Sequence, residues 1–361
     1  MCAKISSRLK SNIIKLPGLV DVHVHLREPG ATHKEDFETG TKAAVAGGYT
    51  QILDMPNNVP PTVTTKDLEQ KIKLAHGRIW CDVGFNFGAT AHSAKFFKKI
   101  SKMTCALKVY MNLTTGPLLV EKSLDRELIF KNWSNSSPII VHAEGEALEV
   151  AIKLAKKHQR RLHITHILTE QIELIEKARQ DRAAISCDVT PHHLFLTSED
   201  IKKLGPLAIM KPPLGSVSDQ QKLWRNLDKI DMIATDHGPH TLSEKESDHP
   251  PFGVPGLETT LPLMLWAVSK SMLSLKRLIE MTSINPRKIF NLPIQPNTYV
   301  EVDLSKKYLI SNRGLFTKCG WTPFVGLEGR GEVKKVAICG QSIFENGKFV
   351  GKPQGKVIYP T

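Results

Sequence analysis

The 361-residue chain contains no apolar run approaching the ~20 residues that a helix needs to cross a bilayer, which argues against a membrane span. Cysteine is sparse: Cys2, Cys81, Cys105, Cys187, Cys319 and Cys339 are spread out, with no Cys-x-x-Cys pair. A chain this long does not need disulfide staples, so reduced thiols in the cytosol are expected. No basic stretch is interleaved with aromatics. The net charge of +13 therefore reads as lysines scattered over a solvated surface, useful for attracting an anionic substrate, and not as a nucleic-acid face. The first fifteen residues lack acids and carry Lys4, Arg8, Lys10 and Lys15. A transit peptide has that composition, but the segment runs straight into a strand, and a mature cytosolic start is the preferred reading. What is present is 41% hydrophobic and 24% charged residues, enough for a large core and against long disorder.

Short apolar runs rich in β-branched residues recur over 18–25, 50–55, 81–87, 106–111, 138–142, 161–167, 184–190 and 231–235. Helix-period stretches separate them, among them 37–46, 147–158 and 170–180. Eight strand–helix alternations predict an α/β chain folded as a (β/α)8 TIM-like barrel. A doubly wound sheet would need a Gly-rich phosphate turn after its first strand; here Gly47-Gly48 reads as the end of a helix instead. Two more helical stretches, 260–269 and 275–282, precede Asn285-Pro286-Arg287, which is expected to close the helical region. The tail reads as strands at 299–304, 308–310 and 333–339, with a hairpin about Glu345-Asn346-Gly347. The predicted division is a barrel over 16–297 and a small β subdomain from 1–15 plus 298–361. That tail is too small to bury a core of its own and is expected to pack beside the barrel.

Barrels of this kind carry their chemistry at the C-terminal ends of the strands. Here those ends offer His23 and His25 on the first strand, Lys108 on the fourth, His142 on the fifth, His166 on the sixth and Asp236 after the eighth. His23 and His25 are two apart and share a face. Imidazole nitrogen suits zinc and a carboxylate can complete the shell. A lone histidine on such a strand would be structural; this convergence on one rim points to a metal centre. Lys108 lies in a strand where a charged ammonium is costly. One reading is a side chain snorkelling at the rim. The other is an amine whose pKa burial lowers, so that it reacts with carbon dioxide to a carbamate able to bridge two metals. His163 is three residues before His166, faces the other way and is left structural; His192 and His193, read as strand neighbours on opposite faces, are unassigned.

The stretch Asp21-Val-His-Val-His-Leu-Arg-Glu-Pro-Gly30 resembles the dihydroorotase signature of the amidohydrolase superfamily, as does Thr235-Asp-His-Gly-Pro-His-Thr241. Met55-Pro-Asn57, Pro191-His-His-Leu194, Pro255-Gly-Leu-Glu-Thr259 and Asn285-Pro-Arg-Lys-Ile-Phe290 fit the same family. The tail segments Thr298-Tyr-Val-Glu-Val-Asp-Leu304 and Trp321-Thr-Pro-Phe324 resemble the dihydroorotase part of multifunctional pyrimidine-synthesis polypeptides.

That resemblance, running from about residue 16 to 361, implies a metal-dependent hydrolase barrel. It also implies reversible cyclisation of N-carbamoyl-L-aspartate to (S)-dihydroorotate plus water. By position, His23, His25 and Asp236 bind one zinc, His142 and His166 the other, and N6-carboxylated Lys108 bridges them. Asp236 doubles as the proton carrier, and Thr114 matches a transition-state contact on a closing loop, Asn112-Leu-Thr-Thr-Gly116. Arg27, Asn57 and His240 match contacts to the substrate's α-carboxylate, joined by Lys211 where close relatives have Arg. Multifunctional relatives carry Phe in place of Thr115. Thr165 and Asp188 stand where relatives place a Cys and a Glu for a third zinc, which argues against a third ion here. A zinc-ligated Asp236 has a lowered pKa, so acid should favour ring closure and base hydrolysis. A homodimer through barrel helices and association with other pyrimidine enzymes are compatible with the family. Hydantoinase- or allantoinase-type activity and a non-catalytic scaffold are the alternatives.

Overall fold

The computed structural model describes residues 12–134 and 137–361. Residues 1–11 of the predicted small subdomain therefore lie outside the described residues. Eight parallel strands follow one another around a barrel: β2 (Leu19–Val24), β3 (Tyr49–Asp54), β4 (Asp82–Gly88), β5 (Ala106–Tyr110), β6 (Ile139–His142), β7 (Leu162–Ile164), β8 (Ile185–Val189) and β9 (Met232–Ile233). The ring is joined at the seam by a parallel bridge between Val24 and His237, with His25 N donating to His237 O at 2.9 Å. Every residue of β2, β3, β4 and β5 is buried, as expected of parallel strands covered on both faces. The eight predicted strands all appear, their ends shifted by at most three residues.

Helix Phe37–Ala46 coincides with its prediction, started by a capping box between Asp36 and Thr39 and stopped at Gly47, after which Gly48 turns at φ +89°. Helix Glu146–His158 buries Ala147, Leu148, Ala151, Ile152, Leu154 and Ala155 on one face against the barrel. Two expectations fail. Asn285-Pro286-Arg287 does not end the helical region; it opens the helix Asn285–Phe290, because proline is tolerated in a first turn where its missing N–H has no partner to lose. His192 and His193 are not on a strand either. Thr190 caps a short helix, Pro191–Phe195, whose first turn again holds the proline.

The second sheet is antiparallel, in the order β1 (Ile13–Pro17), β10 (Tyr299–Leu309), β11 (Glu328–Ile338), β12 (Gln341–Glu345) and β13 (Lys348–Phe349). The two predicted strands at 299–304 and 308–310 are one, β10, with an irregular register between Asp303 and Lys307. The Asn346-Gly347 hairpin forms with φ of +47° and +79° and pairs Glu345 with Lys348, as a two-residue turn of this kind requires. This sheet has no separate core: Val300, Val302, Val336, Ile343 and Phe344 belong to the same buried cluster as the barrel's Leu19, Ile52 and Leu261. The chain end then leaves it, and β14 (Val357–Ile358) pairs in parallel with β4 through Val83 and Gly84. Among the described residues no helix is long and apolar enough to cross a membrane.

Candidate metal centre

The C-terminal ends of the barrel strands enclose a cavity lined by His23, His25, Lys108, His142, His166 and Asp236. Arg27, Asn57, Thr114 and Lys211 line it as well. Thus all but one of the predicted site residues share one cavity. The exception is His240, fully buried behind Arg27, with Nε2 3.0 Å from Arg27 Nη2 and Nδ1 3.2 Å from Lys34 Nζ. A larger cavity of about 800 Å³ lies elsewhere, between Phe195, Trp224, Trp266 and Met272; it has no imidazole and offers no comparable chemistry.

Asp236 Oδ1 lies 3.1 Å from His23 Nε2 and 3.2 Å from His25 Nε2. The three side chains offer ligand atoms within 4.8 Å of one another, so they could hold a metal ion. Across the cavity His142 Nδ1 faces His166 Nε2 at 2.9 Å, and Lys108 Nζ reaches Thr165 Oγ1 at 3.4 Å. Burial lowers the pKa of all four imidazoles, and the Lys108 charge presses further on His23, His142 and His166, so the rings are neutral donors. Asp236 is held below the ordinary carboxylate range by its bond to His25 and by nearby positive groups, which outweigh the effect of burial. Lys108 is fully buried, which excludes a snorkelling side chain, and desolvation pulls its pKa from 10.5 to about 8.

Backbone strain marks the turns that carry these groups. Arg27, His166 and Asp236 have φ of +62°, +39° and +47°, a region that side-chain-bearing residues seldom enter. Side-chain carboxylates hold His166 itself and the residue before Asp236. Asp188 Oδ1 accepts from His166 N at 2.6 Å while its Oδ2 bonds His163. Asp21 accepts from Thr235 N and from His23 N, standing in for ladder bonds that the two-residue β9 is too short to make. Burial raises Asp21 to about 7. His163 bonds Ser186 and Asp188 away from the cavity.

Two loops close the rim. Thr115 O accepts from Asn57 Nδ2 at 3.1 Å, and Thr115 Oγ1 lies 3.4 Å from Phe252 O. The turn after Asp236 packs against residues 252–254, with Gly238 N donating to Val254 O at 2.9 Å. A Cβ on Gly253, at φ +131°, would meet Gly238 O at 2.7 Å, so glycine is required there. Lys245, fully buried, donates to Ile209 O, Pro251 O and Gly253 O and ties the Lys211 and Phe252 segments together. Asn57 is anchored from below: buried Lys71 bonds Met55 O and Asn58 Oδ1 and pairs with Asp54 at 2.6 Å.

Sequence reasoning missed Tyr110, Phe252 and Glu144. Tyr110 lines the cavity two residues beyond Lys108, and that spacing alone could have found it. Glu144, two residues past His142, has Oε1 3.1 Å from His142 Nε2.

The amidohydrolase family model matches residues 14–343. The chain belongs to the amidohydrolase family. It is 43% identical over 349 residues to multifunctional protein pyr1-3 of Dictyostelium discoideum, covering 96% of this chain but 16% of that protein. It thus spans about a sixth of the length of that multifunctional relative. It is 37% identical over 367 residues to the dihydroorotase of Pyrococcus furiosus, covering 95% of this chain and 84% of the relative. Among solved structures, the L-hydantoinase (dihydropyrimidinase) of Arthrobacter aurescens superposes with a TM-score of 0.91 at 26% identity, over 96% of this chain and 89% of the other. The inactive dihydroorotase-like domain of a Chaetomium thermophilum CAD-like multifunctional protein gives 0.82 at 26%, over 96% and 99%.

Proposed function

We propose that this chain is a zinc-dependent dihydroorotase, interconverting N-carbamoyl-L-aspartate and dihydroorotate plus water. The observation that carries the reading is the pairing, in one cavity, of a six-residue donor set with the buried Arg27. Arg27 is 8% exposed and forms no ion pair with a carboxylate among the described residues; its contacts are Pro239 O at 3.0 Å and His240. A buried guanidinium without a counter-ion is costly, and a ligand carboxylate would relieve it.

The donor set fits two zinc ions: neutral imidazoles, an ionised Asp236 and a lysine whose neutral amine is accessible near pH 8. His23, His25 and Asp236 would hold one ion, His142 and His166 the other, with Lys108 as a bridging carbamate. When bound, the ions supply Lewis-acid polarisation of the ring carbonyl and a water of lowered pKa. Arg27 and Asn57 hold the α-carboxylate, backed by His240 through Arg27 and aided by Lys211. In ring closure the ureido N–H adds to the side-chain carboxyl carbon. The N–C bond forms, a C–O bond breaks, and Asp236 moves the proton from nitrogen to the departing oxygen, which leaves as water with a second proton taken up from solvent. Hydrolysis runs these steps backwards, with Asp236 returning the proton to the ring nitrogen. Thr114 lines the cavity beside the reacting groups and is assigned to the transition state. Asp188 is committed to His163 and to His166 N, and Thr165, which donates to Val141 O and accepts from Lys108, offers a hydroxyl in place of a thiolate, which speaks against a third zinc.

The same proposal divides the chain into a barrel over 16–297 and a subdomain of 1–15 plus 298–361. It includes a homodimer, association with other pyrimidine-synthesis enzymes and a cytosolic setting, to which five unpaired cysteines among the described residues are suited. The test is ring closure of N-carbamoyl-L-aspartate at slightly acid pH, with metal measured on the same sample. Turnover with about two zincs per chain, lost in Lys108→Ala, is expected. Zinc with turnover of hydantoins or allantoin only would replace the substrate. Neither metal nor turnover after zinc and bicarbonate are supplied would leave a non-catalytic scaffold.

A further inference from the structure

We propose that Glu144 is a positioning residue that selects the metal-binding tautomer of His142. The inference rests on the reading of His142 as a zinc ligand. The ring is engaged on two sides, with Nε2 3.1 Å from Glu144 Oε1 and Nδ1 2.9 Å from His166 Nε2. An ionised carboxylate only accepts hydrogen bonds, so its contact requires the proton to be on Nε2. In the neutral ring the lone pair then sits on Nδ1, the nitrogen that faces His166 across the cavity. Without an acceptor at Nε2 the proton can move to Nδ1 and remove the donor pair from the site.

Glu144 is held where this requires. Its backbone N–H donates to Asn112 Oδ1 at 2.8 Å, tying the end of β6 to the segment that follows β5, and Gly145 turns the chain at φ +55° into the next helix. His25 has a counterpart device. Its Nδ1 lies 2.7 Å from Asn57 Oδ1, an amide oxygen that also only accepts, which leaves Nε2 directed at Asp236. Each proposed zinc therefore has one imidazole whose tautomer is set by a side-chain acceptor. His23 Nδ1, by contrast, is buried without a protein partner. Partners of this kind fix ring orientation and ligand basicity, and their loss commonly weakens metal binding about ten- to hundredfold.

The test compares Glu144→Ala, Glu144→Gln and His142→Ala in the full chain, reconstituted with zinc and bicarbonate. Zinc per chain, the rate of zinc loss to a chelator, and the visible spectrum of the cobalt-substituted protein are recorded. Glu144→Ala should bind one of its two zincs about ten- to hundredfold more weakly, with an altered cobalt spectrum. Glu144→Gln, which keeps an acceptor oxygen, should restore most of that affinity. The thermal midpoint of the metal-free protein should fall only slightly, because one hydrogen bond to His142 is lost from a side chain that is 28% exposed. If Glu144→Ala holds both zincs at wild-type affinity while His142→Ala loses one, the role of Glu144 is wrong and the metal reading stands. Gln behaving as Ala would overturn the acceptor argument. If His142→Ala keeps both, or the wild type takes none, the metal reading falls and takes the inference with it.

Discussion

Lys108→Met should make the metal-free protein more stable at neutral pH while abolishing catalysis. Lys108 is fully buried and its pKa falls from 10.5 to about 8, chiefly through desolvation, with Asp236 and Asp188 offsetting part of the effect. A drop of that size corresponds to about 3 kcal/mol, since one pKa unit is about 1.4 kcal/mol. The sign follows from proton counting. Between pH 8 and 10.5 the unfolded chain holds a proton that the native chain has lost, so stability rises with pH across that window. Below pH 8 both states are protonated and the full cost of burying the ammonium is present. Methionine has similar length and no charge, so the variant should gain about 3 kcal/mol at pH 7 and keep little of that gain at pH 10.5. The assay is urea unfolding of both proteins with a chelator, in buffers purged of carbon dioxide, at pH 7 and pH 10.5. A variant no more stable than the wild type at pH 7, or a gain that does not shrink with pH, would refute the reasoning.

Arg27→Met should raise KM for N-carbamoyl-L-aspartate about ten- to hundredfold, the worth of hydrogen bonds to a charged group, with kcat less affected; steady-state kinetics will separate the two. Asp54→Ala leaves the Lys71 ammonium buried without its partner and should cost about 3–5 kcal/mol in chemical unfolding, besides loosening the segment that carries Asn57. Glu258 is raised to about 7 by burial, although Phe316 N and Thr317 N donate to it. The native state therefore holds a proton that the unfolded chain has lost between pH 4.5 and 7, and this group makes stability fall as pH rises through that window. Glu258→Gln should remove that fall, so its unfolding midpoint relative to wild type should climb from pH 5 to pH 7.5.

The strands were readable because parallel strands covered on both faces are near-continuous apolar runs, against which His23, His25, Lys108 and His142 stand out. Their convergence followed from the barrel itself, which brings all strand ends to one rim. Other features depend on contacts that leave no local pattern. The Lys71–Asp54 pair spans two elements, and only its full burial reveals it as the anchor beneath Asn57. The pairing of Val357–Ile358 with β4 is two residues long, too short for any periodicity. The helix at Pro191–Phe195 was hidden because two adjacent histidines after a strand look like its continuation, whereas the Thr190 cap and Pro191 decide otherwise. The positive φ of Arg27, His166 and Asp236 could not be read from residue type, since none is glycine.

The fold separates catalytic classes less well than the charges within it do. The backbone superposes with a TM-score of 0.91 on a hydantoinase and 0.82 on a domain described as inactive, so barrel shape alone cannot choose between substrates or even between activity and its loss. The choice lies in what the cavity leaves unbalanced. Around the donor cluster, Asp236 bonds His25 and lies near the Lys108 charge, and Asp188 is hydrogen-bonded to His163. Arg27 has no carboxylate within ion-pair distance among the described residues, feeling Asp236, Asp54 and Glu244 only at longer range, and Lys211, which lines the same cavity, stacks over Phe252 with its nitrogen 5.5 Å from the ring centre. Two cations lining one cavity, one of them buried with neutral hydrogen-bond partners only, suit a ligand that brings a negative group. A neutral hydantoin ring would leave that imbalance in place, whereas an α-carboxylate would remove it.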